Sequence, residues 1–178
     1  MGDTTKIEWC DKTFNPWVGC TKISPACDHC YAESWAKRTG SPQLWNGKRR
    51  RTTPANWRKP LKWDREAAEL GVRYRVFCAS LADVFDNAAP LAWRTDLFRL
   101  IHETPNLDWQ LLTKRIGNVP TMLRVLGDDA LPQNVWLGST VVNQDEADRD
   151  IPKLLAVPAA ARSARRLPRF QYSTRPRR

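Results

Sequence analysis

The sequence predicts an α/β fold in which parallel strands alternate with helices, as a layer or a barrel. Two observations carry this reading. A strand-then-helix pattern recurs three times in series after residue 70, and its strand segments are short apolar runs ending in small or polar residues, as buried parallel strands do. A length of 178 residues suits one domain, which at this size buries roughly 70% of the unfolded surface.

The elements follow in order. "FNPWVGC" (14–20) reads as a first strand, a loop then carries three cysteines, and "CYAESWAKRTG" (30–40) reads as a helix with Tyr31 and Trp35 on one face. Residues 41–69 show no firm pattern beyond a short helix at "DREAAELG" (64–71). "RYRVFCASL" (73–81) is the second strand, followed by a helix over 90–105 with Trp93, Leu97, Leu100 and Ile101 on its apolar face. "LDWQLLTKR" (107–115) is the third strand, and its helix over 118–127 has Asn118 as N-cap and Gly127 as stop. "NVWLGSTVVN" (134–143) is the fourth, leading into a helix over 144–157 that Pro152 should kink or divide. From Ala161 the pattern stops. Residues 161–178 are expected to be a disordered Arg-rich tail, a frameshifted or truncated terminus, attached to a domain spanning 1–160.

Composition narrows the function classes. The start of the chain has no apolar signal-peptide core, and no stretch approaches the roughly 20 apolar residues of a membrane span, so the expectation is a cytoplasmic protein with no membrane partner. The net charge is +10, but residues 162–178 hold seven arginines and no acid, leaving only +3 on the preceding 161 residues. A second basic run, "GKRRR" (47–51), reads as a solvated connection before it reads as a phosphate-contacting loop. Trp45, Trp57 and Trp63, interleaved with Lys and Arg, are a lesser candidate for stacking single-stranded nucleic acid.

Three of the five cysteines, Cys20, Cys27 and Cys30, stand in a C-x6-C-x2-C spacing. A reducing compartment disfavours disulfides, so metal binding comes forward. A closed zinc site needs a fourth ligand, for which Cys10 is a better candidate than His29, His102 or Cys78. A four-iron cubane held by three thiolates instead leaves one iron open to a substrate or cofactor. A redox CxxC leaves the third cysteine surplus, and the histidines have no triad or HxxxH context. Trp9, Trp17, Trp35 and Tyr31 surround the loop in sequence and would keep a cluster dry, or are simply core.

The segment "IEWCDKTFNPWVGCTKISPACDHCYAES" resembles the opening of the phage-associated three-Cys-motif family related to radical S-adenosylmethionine (SAM) proteins. "RVFCASLADVF", "WQLLTKR" and "NVWLGSTVVNQ" are similar to later segments of that family, so the resemblance runs from residue 6 to about 160. It implies a partial TIM-type (β/α) barrel, truncated after about four strand-helix units where the family continues with at least two more. It also implies a 4Fe-4S cluster on Cys20, Cys27 and Cys30, SAM on the open iron, an external electron donor and a 5′-deoxyadenosyl radical acting on an unknown substrate. Cys10 departs from the family, which has Thr there.

In a barrel the groups that hold SAM and substrate belong at the carboxyl ends of the strands. Those ends carry Ser80 and Asp83, then Thr113, Lys114 and Arg115, then Ser139, Thr140 and Asn143. Ser80 and Asp83 are candidates for the amino group or ribose hydroxyls of SAM, Lys114 or Arg115 for its carboxylate, and Ser139 or Asn143 for the ribose. Asp83 and Asn143 could instead cap helices, and Lys114 could face solvent. Two rival readings accompany the radical enzyme: a zinc-stabilised nucleic-acid-binding accessory protein of phage, and a non-enzymatic relative that keeps the fold without the reaction.

Overall fold

The computed structural model describes residue 5 and residues 7–166. In chain order the elements are β1 (Lys12–Phe14), β2 (Trp17–Val18), α1 (Tyr31–Arg38), β3 (Arg50–Arg51), α2 (Pro54–Trp57) and α3 (Lys59–Leu70). There follow β4 (Tyr74–Cys78), α4 (Leu91–His102), β5 (Leu107–Thr113), α5 (Val119–Leu126), β6 (Val135–Val141), α6 (Gln144–Ala156) and β7 (Ala161–Arg166). Five strands form one parallel sheet in the order β1-β4-β5-β6-β7, while β2 and β3 make a separate antiparallel ribbon. Neighbours in the main sheet are thus consecutive along the chain, which is the winding of a (β/α) barrel left open.

Side-chain alternation explains where the core lies. Along β5, Leu107, Trp109, Leu111 and Thr113 are buried and alternate with half-buried Asp108, Gln110 and Leu112. The buried set joins Val76 and Cys78 of β4 and Val135 and Leu137 of β6 in one core with Trp63 and Ala67 of α3, Leu97 and Ile101 of α4, Met122 and Leu123 of α5 and Leu154 of α6. Helices therefore cover one face. The register sets Thr13, Phe77, Gln110 and Trp136 side by side on the other, concave face, where Trp136 stays partly exposed.

Several expectations are corrected. The first strand enters the sheet at Lys12–Phe14 rather than over 14–20, and Trp17–Val18 turns away to pair with Arg50–Arg51. Pro16 has no N–H to offer a ladder, so pairing breaks there. The short helix expected at 64–71 is the end of the longer α3, which has a proline in its first turn and closes on Gly71 in the left-handed region (φ 64°). Pro152 lies inside α6 and does not divide it. Asn118 does not cap α5 with its side chain, which donates to the Phe85 carbonyl at 2.9 Å, whereas Gly127 does stop that helix in the left-handed region.

The largest correction concerns residues 161–166. They form a fifth parallel strand in register with β6, so the boundary expected at residue 160 cuts through the sheet. The remainder of the expected disordered tail lies outside the described residues.

Candidate functional site

The cysteine loop lies over the carboxyl ends of the parallel strands. It leaves β2 through Gly19, whose φ of 119° suits glycine and whose N–H donates to the Leu81 carbonyl just beyond β4, at 3.0 Å. The Cys20 N–H donates to the Leu44 carbonyl at 2.9 Å. Cys27 closes a 3-10 turn that begins at Pro25, and the Ala26 N–H within that turn donates to Glu146 Oε1 of α6 at 3.4 Å. Cys30 is the residue before α1, its carbonyl accepting from Glu33 and Ser34. Cys20 and Cys30, with Trp35, pack against one apolar group made by Val18, Ala32, Ala36, Leu44, Trp45 and Leu81, and Cys27 is buried. All three thiols are free.

Under this loop the strand ends carry a polar framework. Ala79, directly after β4, has φ 63°, a left-handed conformation that non-glycine residues adopt at a cost. The turn it makes presents Ser80, whose hydroxyl accepts from Asn15 Nδ2 at 2.9 Å and whose carbonyl accepts from the Tyr31 hydroxyl. Loss of solvent around that hydroxyl, although the residue is 53% exposed overall, pushes the Tyr31 pKa up to about 12, with the nearby Cys30 and Cys10 thiols adding to the rise.

Behind Cys20 stands a buried cluster of charges. Arg115 Nη1 donates to Cys20 Sγ at 3.4 Å and to Asp83 Oδ2 at 3.2 Å, while Nη2 donates to the Thr21 carbonyl at 2.8 Å. Arg49 pairs with Asp86 and donates to the Thr21 hydroxyl at 2.9 Å, so two guanidiniums grip the residue after Cys20. Arg94 completes the cluster through the Val84 and Asp86 carbonyls. Burial pulls down the charged form of Arg115, but Asp83, Cys20 and Asp86 outweigh it and hold the guanidinium protonated. Burial likewise pushes the Cys20 thiol up, with Arg115 pulling it down.

The expected site residues fall into two groups. Ser80 and Lys114 lie at the mouth, Lys114 on the wall of a cleft of about 350 Å³ beside Ile23, Ser24, Arg149 and Lys153. Asp83 is also at the mouth, but its carboxylate is occupied by the Thr113 hydroxyl, the Phe85 and Lys114 N–H groups and Arg115, so it braces the strand ends rather than offering free oxygens. Asn143 is the N-cap of α6, its side-chain oxygen accepting from the Glu146 N–H at 2.8 Å. Ser139 is fully buried in register with Thr113, on the helix-covered face, and its hydroxyl has no partner among the described residues. Its neighbour Thr140 takes the opposite side, is also buried, and its hydroxyl likewise has no partner among the described residues.

Other basic and aromatic candidates are absorbed into the fold. Arg49 is in the buried pair just described, and Arg51 pairs with Asp96 at 2.8 Å and lies over the Trp57 ring, which corrects the solvated reading of "GKRRR" at those two positions. Trp45 and Trp63 are buried and Trp57 is covered by Arg51, so these three do not form an open stacking surface.

Among the described residues no three His, Cys, Asp or Glu side chains converge on one point, and Cys10 is buried beside the Phe77 backbone. A cubane attaches each thiolate to a different iron and needs no convergence on one point. Three free thiols on one loop, with apolar cover from Trp35 and Leu81, fit that group.

The model of a family described as protein of unknown function (DUF5131) matches residues 4–169. The chain belongs to the DUF5131 family. That match runs through β7, past the boundary expected at residue 160. No curated protein matches by sequence. Among solved structures, this DUF5131 protein is similar to a cysteine-to-serine mutant of spore photoproduct lyase, at 13% identity and a TM-score of 0.59, over 92% of this chain and 47% of that one. It is similar also to a double mutant of the lyase with bound AdoMet and dinucleoside spore photoproduct, at 14% identity and a TM-score of 0.55, over 83% of this chain and 39% of that one. The chain spans about half the length of these neighbours or less, and what it shares with them is the fold: a parallel (β/α) sheet wound as an open barrel. Among the described residues no helix is long and apolar enough to cross a membrane.

Proposed function

We propose that this DUF5131 protein is an iron-sulfur, SAM-binding domain of the radical type. Cys20, Cys27 and Cys30 would hold a 4Fe-4S cluster, and SAM would occupy the open iron. The observation that carries the reading is the seat of the three-thiol loop across the carboxyl ends of parallel strands, the end of a (β/α) fold where chemistry is placed. The bound cofactors would supply the reductive cleavage of the SAM sulfonium that yields a 5′-deoxyadenosyl radical.

What the chain supplies is placement. Gly19, Arg115 and Glu146 anchor the loop at three separate strand or helix ends, Tyr31 closes it onto the turn after β4, and the apolar group around Cys20 and Cys30 keeps water away. Ser80 and Lys114 are the side chains at the mouth suited to meet SAM. An electron donor would meet the chain at the cleft next to the loop, walled by Lys114, Arg149 and Lys153 and by Asp150, which pairs with the last two at 2.6 and 3.5 Å.

Anaerobic reconstitution with iron and sulfide tests the reading. The wild-type chain should take up close to four irons with the broad charge-transfer absorbance of thiolate-bound clusters, and release 5′-deoxyadenosine when given SAM and dithionite. Cys20→Ala, Cys27→Ala and Cys30→Ala should each abolish the cluster, and Cys10→Ala should retain it. Stoichiometric zinc without iron uptake, lost equally in Cys10→Ala and Cys27→Ala, would overturn the proposal in favour of a zinc module.

A further inference from the structure

The charge cluster behind Cys20 is larger than a loop anchor needs. Arg115 and Arg49 both hold Thr21, which alone would fix the backbone after Cys20, yet Arg115 also directs Nη1 at the Cys20 sulfur, 3.4 Å away. The same nitrogen is 3.2 Å from Asp83 Oδ2, and the Arg115 and Asp83 side chains are only 7% and 6% exposed. A buried cation and a buried anion thus stand together against one sulfur, where water screens them little.

We propose that Arg115 raises the electron affinity of the cluster held by Cys20, with Asp83 as its counterweight. The inference rests on the cluster assignment made above. One electron from an external reductant makes the cluster one unit more negative, and part of that charge resides on the ligand sulfurs. A guanidinium donating to Cys20 Sγ stabilises the reduced form more than the oxidised form, so the potential rises; a carboxylate beside it does the opposite. Arg115 is a positioning residue in this scheme, acting through Cys20 and touching neither SAM nor substrate.

The two partners must therefore shift the potential in opposite directions. In an anaerobic redox titration of the reconstituted full chain, followed by the EPR signal of the reduced cluster, Arg115→Gln should lower the midpoint. The reduced-to-oxidised ratio at a fixed potential should fall at least tenfold, about 59 mV for a one-electron couple. Asp83→Asn should raise it, and Arg115→Lys, which keeps the charge without the fork, should fall between wild type and Arg115→Gln. Arg73→Gln, which removes a positive charge at the opposite end of β4, should leave it unmoved.

A structural role alone would loosen the loop in both variants and move both potentials the same way. That result, or no shift in either, overturns the inference. If Arg115→Gln assembles no cluster, the signs for Asp83→Asn and Arg115→Lys still decide. Absence of a cluster in the wild type is a separate result, which removes the function reading itself.

Discussion

At Gly19 the backbone has no room for a side chain. A Cβ there would collide with the Lys48 carbonyl oxygen and lie 2.8 Å from that of Leu44, and φ is 119°. Neither oxygen is free to retreat: the Leu44 carbonyl receives the Cys20 N–H, and Lys48 leads into β3, the partner of β2. Gly19→Ala is therefore expected to cost roughly 2–4 kcal/mol in urea denaturation. It should also reduce iron loading, because Cys20 is the next residue. A variant that melts and loads like wild type would show that the loop departs from the sheet by another path. The residues around this glycine show what could be read beforehand. Three cysteines at fixed spacing announce themselves, since thiols so close in a polar loop have few other uses. The contacts of Arg115, Arg49 and Tyr31 do not, although Arg115 and Tyr31 stand out as candidates for other roles, because their partners are 95, 37 and 49 residues away in the chain. Ser139 misled for a related reason: a strand end presents alternate residues to opposite faces, and one position decides between mouth and core.

At the scale of elements, α6 connects the cysteine loop to the sheet. Asn143 and Glu146 stand three apart in the manner of a capping box, with Asn143 accepting from the Glu146 N–H. The returning Glu146 carboxylate is displaced from the usual partner: it accepts from the Val142 N–H at 2.9 Å and from the Ala26 N–H of the cysteine loop at 3.4 Å. Glu146 is buried, so Glu146→Ala leaves two N–H groups without acceptors and should cost about 1–3 kcal/mol in chemical denaturation. It should also speed tryptic cleavage after Lys22, whereas wild-type protection in the variant would show that Ala26 does not depend on this contact. The spacing that flags the cap is visible in the sequence; the second acceptor role is not. The same division holds elsewhere. Helices α4, α5 and α6 were legible because a 3.6-residue apolar period over two or more turns has few competitors. Strands β2 and β3 are two residues each and have no period to read, so residues 41–69 stayed without a pattern until pairing supplied one.

For the whole molecule, the consequential element is the one whose composition disguised it. The segment "ARSARR" has no apolar alternation, and arginines suggest a solvated tail, yet Ala161–Arg166 pairs in parallel with six consecutive residues of β6. Among the described residues β7 is the edge of the sheet, and an edge strand needs little apolar burial: Arg162, Ser163 and Ala164 are exposed, its backbone pairing holds it, and a charge such as that of Arg162 discourages a further strand from adding. Removing it would leave β6 as the edge, with Leu137, Ser139 and Val141 in a β-rich run that carries no charge from 135 to 142. A chain ending at residue 160 is therefore expected to lose roughly 1–3 kcal/mol, the net of several backbone hydrogen bonds against the order they impose. Its sharper signature should be concentration-dependent self-association, measured by light scattering across a dilution series at fixed temperature, because an uncharged parallel edge invites pairing between copies. If the shortened chain stays monomeric at the concentrations where the full chain does and unfolds at the same urea midpoint, then β7 protects nothing and the domain does end at residue 160. If it associates while still binding iron, edge protection and cluster binding are separate duties of the fold, and β7 belongs to the first.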